Sequence, residues 1–177
     1  MTRIAVVGGG PAGYEAALVA VELGAEVTLV ERDGVGGMCV LADCVPSKTL
    51  IATSDAMTAL SHADRVGVHT TGSVGVAVAE VHARVKALAL AQSNDIEARL
   101  RREGVRVLRG AARLESAGRV VVYDEVIEAG VLLLSGGATP SVLPGPCTDA
   151  ARVPGRLPPS DPAPAPQPRI RVGCPRL

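Results

Sequence analysis

The chain has 177 residues with 18 basic and 18 acidic side chains, so its formal net charge is zero and nothing in its electrostatics points to nucleic acid or an anionic membrane as partner. Phe and Trp are absent and Tyr14 and Tyr123 are the two aromatic residues, so a core must be assembled from Val, Leu, Ile and Ala, within one domain or part of a larger one. Apolar runs such as Ala16 to Val21 are too short to span a bilayer, the opening residues are too short for a signal peptide, and four cysteines without a secretory signal argue against a disulfide framework, so a cytoplasmic protein is expected.

Arg3 to Val7 is a β-branched run that enters Gly8-Gly9-Gly10-Pro11-Ala12-Gly13. Tyr14 to Leu23 then reads as an Ala-rich helix stopped by Gly24, and Val27 to Val30 as a second strand with Glu31 at its C-terminal end. This is a β-α-β unit with Gly8-x-Gly10-x-x-Gly13 at its first turn, the pattern that binds a dinucleotide. Gly8 permits the turn, Gly10 lets the backbone approach a pyrophosphate, and Gly13 allows close helix-strand packing, with the helix N-terminus facing the phosphates. Glu31 stands 18 residues beyond Gly13, where a carboxylate accepts hydrogen bonds from ribose hydroxyls and repels a 2′-phosphate.

Next comes the segment with its own chemistry, Gly36-Gly37-Met38-Cys39-Val40-Leu41-Ala42-Asp43-Cys44-Val45-Pro46-Ser47-Lys48. Pro46 suits the first turn of a helix, and Leu50, Ile51, Met57 and Leu60 follow at roughly helical spacing, which puts Cys44 just before a helix N-terminus. Unpaired amides there favour a thiolate. A disulfide needs Cα atoms about 4.4 to 6.8 Å apart, so Cys39 and Cys44 pair only if the residues between them coil. On these residues alone, a redox pair and two small buried hydrophobes are equally good readings. Lys48, taken by itself, is a solvated lysine near the helix start.

A long helix is expected from Glu80 to Glu103, with Val81, Val85, Leu88, Gln92, Ile96 and Leu100 on its packing face. His62, His69 and His82 have no neighbours at ligand spacing, so no metal is expected. Val105 to Leu108 reads as a strand, and Arg113 to Glu115, Val120 to Tyr123 and Val126 to Glu128 as short antiparallel strands. Val131 to Leu134 is a further strand entering Ser135-Gly136-Gly137-Ala138-Thr139-Pro140.

Taken together, the glycine turn with Tyr14, Glu31, the Gly36-Gly37 pair, the two cysteines and Pro46-Ser47-Lys48 resemble the N-terminal FAD segment of the pyridine nucleotide-disulfide oxidoreductases, the dihydrolipoamide dehydrogenase and mercuric reductase group. The resemblance covers about residues 2 to 143. It implies a Rossmann-like α/β domain, a parallel sheet with helices plus a small antiparallel meander. It also implies FAD in the first nucleotide site, held by Gly8, Gly10, Pro11, Ala12, Gly13, Glu31, Arg32, Gly36, Gly37, Lys48 and Gly137. Cys39 would be the interchange thiol that attacks a substrate disulfide, Cys44 the thiol in charge-transfer contact with the flavin, and Lys48 a neighbour of the flavin's reactive edge. The implied activity is hydride transfer from NAD(P)H to flavin and on to a small-molecule disulfide or a quinone, in a homodimer.

Leu41 and Asp43 stand where the family usually has Asn and Gly. The run from Val40 to Thr49 is instead similar to a bacterial NAD(P)H:quinone reductase branch whose members typically lack the first cysteine. Cys39 makes this chain a hybrid, and dithiol chemistry and direct transfer to a quinone both stay open. Ser135-Gly136-Gly137 partly matches the family's Ala-Thr-Gly turn over the FAD.

Residues 144 to 177 hold ten of the 13 prolines and no aromatic residue, a composition expected to be disordered. Cys147 and Cys174 receive no role there. The family's NAD(P)H site, later flavin-completing segment and interface domain are expected to be absent, as in a frameshifted or truncated product. The alternative to an enzyme is therefore a non-catalytic FAD-binding remnant.

Overall fold

In the computed structural model the described residues are 1–138; Thr139, Pro140 and the proline-rich stretch with Cys147 and Cys174 lie outside them. The first strand β1 (Arg3–Val7) leads into α1 (Pro11–Glu22) and β2 (Glu26–Glu31). Helix α1 starts three residues earlier than the apolar pattern suggests, because Pro11 occupies the first helical position, where its missing N–H costs nothing. Its far end is a Schellman closure: the Gly24 N–H bonds the Val21 carbonyl and the Ala25 N–H the Ala20 carbonyl, at 2.8 and 3.0 Å.

A short helix α2 (Gly37–Leu41) precedes α3 (Cys44–Ser61), a 3₁₀ turn at Ala63–Val66 and the long α4 (Val78–Arg102). Strands β3 (Arg106–Arg109), β4 (Ala112–Ser116), β5 (Arg119–Val122), β6 (Glu125–Glu128) and β7 (Val131–Leu134) complete the described chain. Four of them form a parallel sheet in the order β3-β2-β1-β7, and β4-β5-β6 form an antiparallel meander. The fold is the expected α/β class.

Side-chain alternation along the strands divides the core into two layers. Val6, Val27 and Leu29 point to the helical side, where they pack with Ala17, Leu18, Leu100 and Val105. Ala5 and Val30 point the other way and pack against Val120, Val122 and Ile127 of the meander. A parallel sheet covered on both faces is what its nearly continuous apolar strands require.

Helix α4 packs through most of the expected face, with Val85 and Leu100 buried and Ile96 against the core, but Ala89 and Ser93 take the inward places expected of Leu88 and Gln92. Its buried residues are Val85, Ala89, Ser93 and Leu100, while Leu88 is 42% exposed and Gln92 is also exposed. Small side chains at 89 and 93 suit a face that packs closely on α2 and α3, and the Ser93 hydroxyl donates to the Val35 carbonyl at 2.6 Å. Hydrophobicity along the helix could not show that closeness of approach outranks side-chain size here. Among the described residues no helix is long and apolar enough to cross a membrane, and no group of three or more His, Cys, Asp or Glu side chains is placed to hold a metal.

Candidate dinucleotide and thiol site

Strand β1 ends at the glycine turn. The Gly8 N–H donates to the Val30 carbonyl at 2.9 Å, extending the β1–β2 ladder by one residue, and Gly8 itself has φ +104°. A Cβ there would lie 2.2 Å from the Ser135 carbonyl oxygen, and one on Gly13 would lie 1.8 Å from the Gly8 oxygen. Both positions thus need glycine because backbone meets backbone. Gly10 differs: its φ of −66° is open to any residue, and a Cβ on it meets nothing within 4 Å. The space beside Gly10 is free, and it adjoins the start of α1, where Pro11 and Ala12 are exposed and the Ala12 and Gly13 amides have no partner within the helix.

Glu31, at the end of β2, is only 9% exposed and uses both carboxylate oxygens. Oε2 accepts from the Gly9 N–H at 2.6 Å; Oε1 accepts from the Asp33 and Gly34 N–H groups at 2.8 and 3.3 Å. The carboxylate therefore sits beside the glycine turn and ties it to the next loop. Arg32 is exposed and turned to its neighbour Asp33, whose hydrogen bond and negative charge push the guanidinium pKa still higher.

The second glycine pair rests on the first. The Gly36 N–H donates to the Gly9 carbonyl at 2.7 Å, and a Cβ on Gly37 would come within 3.0 Å of the Gly10 Cα. Gly37 also opens α2, so the same contact that flanks Gly10 positions the cysteine segment. The single coil of α2 ends with the Ala42 and Asp43 amides both bonded to the Met38 carbonyl, and Cys44 follows as the first residue of α3. Coiling, not extension, brings the two sulfurs together.

Cys39 and Cys44 are half-buried free thiols. A hydrogen bond between them, then burial, then the negative charges of Cys44 and Asp43 push the Cys39 thiol above its ordinary range, while Lys48 pulls it down. Lys48 is one helical turn beyond Cys44 on α3, exposed, and close enough to act on this pair. Gly137, with φ +74°, is exposed after the end of β7, and a Cβ there meets nothing within 4 Å.

Ser135 is the contact that the sequence did not reveal. Its hydroxyl donates to the Gly8 carbonyl at 2.8 Å across 127 positions of chain. A serine after an apolar strand carries no signal of such a partner.

A family model described as pyridine nucleotide-disulphide oxidoreductase matches residues 2–157. The chain belongs to the pyridine nucleotide-disulphide oxidoreductase family. It is 41% identical over 168 aligned positions to a Mycobacterium tuberculosis protein named NAD(P)H dehydrogenase (quinone), covering 86% of this chain and 34% of that one. It is 34% identical over 144 positions to a dihydrolipoyl dehydrogenase of Acholeplasma laidlawii, covering 81% and 43%. Among solved structures it is similar to LpdA from Mycobacterium tuberculosis, with TM-score 0.71 and 42% identity over 81% of this chain and 33% of the other. A flavoprotein disulfide reductase of Escherichia coli, RclA, shares the fold at TM-score 0.65 and 21% identity. The chain thus spans no more than 43% of the length of these proteins.

Proposed function

We propose that this chain is the FAD-binding segment of a flavin-dependent NAD(P)H oxidoreductase whose electrons leave through a disulfide or a quinone. The observation that carries the reading is the opening beside Gly10, flanked on one side by the free amides of α1 and on another by Gly37, from which the thiol pair is built. A group with a diphosphate fits there: a Cβ at Gly10 would fill the space, the helix start offers N–H donors, and the buried Glu31 carboxylate stands next to the turn.

In this reading the Gly8–Gly13 turn with Pro11 and Ala12 holds the diphosphate, Glu31 accepts ribose hydroxyls, and Arg32 contributes positive charge at the rim. Gly36, Gly37 and Gly137 allow close backbone approach, and Lys48 lies toward the ring. FAD, when bound, supplies an acceptor for hydride from a reduced nicotinamide and a donor to the final acceptor. Cys39 is the interchange thiol of this reading and Cys44 the sulfur beside the flavin, and the hydrogen bond between them supports their acting as a pair. The nicotinamide site and a homodimer interface are assigned to parts of the family's architecture beyond this segment.

Leu41 and Asp43, together with the 41% identity to a protein named NAD(P)H dehydrogenase (quinone), favour a quinone as acceptor. The presence of both cysteines favours a disulfide. The non-catalytic remnant is the reading to which a colourless protein would lead.

Titration with FAD, followed by flavin fluorescence and thermal stability, tests the assignment together with Gly10→Ala. The variant should fold as the parent does, since its Cβ meets no protein atom, yet bind FAD at least tenfold more weakly. Equal affinity in the two proteins refutes the site. Bleaching of bound flavin by NADH or NADPH separates turnover from a remnant, and a long-wavelength band on dithiol reduction separates the disulfide route from the quinone route.

A further inference from the structure

The Gly8–Gly9 peptide group is held at both ends by side chains from the two strands that flank β1. Its N–H, on Gly9, donates to Glu31 Oε2 at 2.6 Å from the end of β2. Its carbonyl, on Gly8, accepts from Ser135 Oγ at 2.8 Å from the end of β7. The Ser135 backbone N–H also donates to the Val7 carbonyl at 2.8 Å, continuing the β1–β7 ladder by one residue, so the hydroxyl is anchored close to its root. With one proton to give, the hydroxyl favours Gly8 over the Val7 carbonyl, which lies at 3.2 Å and already has the Ser135 N–H as partner.

A peptide unit between two glycines has no Cβ to resist rotation about its flanking torsions. Turning this one over would point the Gly8 carbonyl away from β7 and move the turn that leads into Gly10 and α1. Gly13 packs against both members of the contact, since a Cβ on it would lie 1.8 Å from the Gly8 oxygen and 2.6 Å from Ser135 Oγ. We propose that Ser135 is a positioning residue for the dinucleotide turn: its hydroxyl locks the orientation of the Gly8–Gly9 peptide and thereby presets the turn and the first amides of α1 for a diphosphate. The proposal rests on the FAD-site reading for its ligand, but the lock itself is a property of the flavin-free chain. When ribose hydroxyls compete for Glu31, Ser135 is the restraint that stays.

Ser135→Ala and Ser135→Thr test it by amide hydrogen exchange on the flavin-free protein and by affinity for FAD and for ADP, which share the diphosphate. In Ser135→Ala the Gly9 and Tyr14 amides, bonded to Glu31 and to the Gly10 carbonyl, should exchange about fivefold faster, as expected for the loss of one hydrogen bond, while amides in the middle of α4 change by less than about twofold. FAD and ADP should weaken by one common factor, smaller than about five, because apparent affinity falls only as far as the competent fraction of the turn that both ligands use. Ser135→Thr, which keeps the hydroxyl, should return both readouts to parental values. Unchanged exchange in the turn, equal acceleration in α4, or a threonine variant that behaves like alanine would each overturn the proposal. Failure of the parent chain to bind FAD or ADP would refute the functional reading alone, since the exchange measurement still decides whether Ser135 holds the turn.

Discussion

The glycine turn and the cysteine segment touch through Gly10 and Gly37, yet they are built on opposite principles. At the turn the backbone is the functional group: Gly8 and Gly13 sit at contacts where no side chain fits, and the side chains that matter, Glu31 and Ser135, serve to hold peptide groups. In the cysteine segment the backbone is an ordinary coil and helix start, and the chemistry is in half-buried side chains whose properties depend on each other. The first kind of site fails when an atom is added, the second when one is removed.

Gly13→Ala is the most severe test of that contrast. Its Cβ must displace the Gly8 carbonyl, so the cost should be about 3 kcal/mol or more, seen as a large fall in the urea midpoint together with loss of FAD binding. If Gly13→Ala folds with parental stability, the turn is not held as tightly as its contacts require. Glu31→Gln should cost about 1 to 3 kcal/mol, since an amide nitrogen cannot accept from the three N–H groups now shared by the carboxylate oxygens. Chemical denaturation measures this directly.

An ion-pair cluster between α4 and β3 sets the scale for ordinary electrostatics. Burial alone would raise Glu97, but hydrogen bonds and charge from Arg101 and Arg109 outweigh it and hold the carboxyl below its ordinary value, joining α4 to β3. A depressed carboxyl stabilises the fold at pH above its unfolded value and loses that contribution as pH falls through the folded one. Glu97→Gln should therefore cost about 1 kcal/mol at neutral pH, both arginines being half-exposed, and the gap from the parent should close as pH drops below about 4. A gap independent of pH would assign the effect to packing.

The smallest effect in energy is the most specific to the thiols. Cys44→Ala removes the hydrogen bond and the charge that raise Cys39, so Cys39 should alkylate several-fold faster near pH 8, as read by mass spectrometry with iodoacetamide. Stability should hardly change. Slower alkylation would mean that the two sulfurs do not act on each other in solution.

Much of this was legible in the residues. The β-α-β order, the turn glycines and the acid at the end of β2 are local patterns, and the strands of the meander follow from short apolar runs and turn residues. The boundary of α1 moved because Pro11 starts a helix more readily than an apolar count suggests. On α4, the inward face is marked by Ala89 and Ser93, whose small size is uninformative until a neighbour is known.

What the sequence determined by itself are the features whose physics is short-ranged: which segments coil or extend, where glycine must bend the chain, and that a helix starts next to Cys44. Only the tertiary structure decided that Gly37 would lie on Gly10, that Glu31 would reach back to Gly9, and that Ser135 would close the other side of the same peptide. Those contacts join residues 22 to 127 positions apart, and they depend on how strands far apart in the chain come to lie side by side, which no spacing rule records.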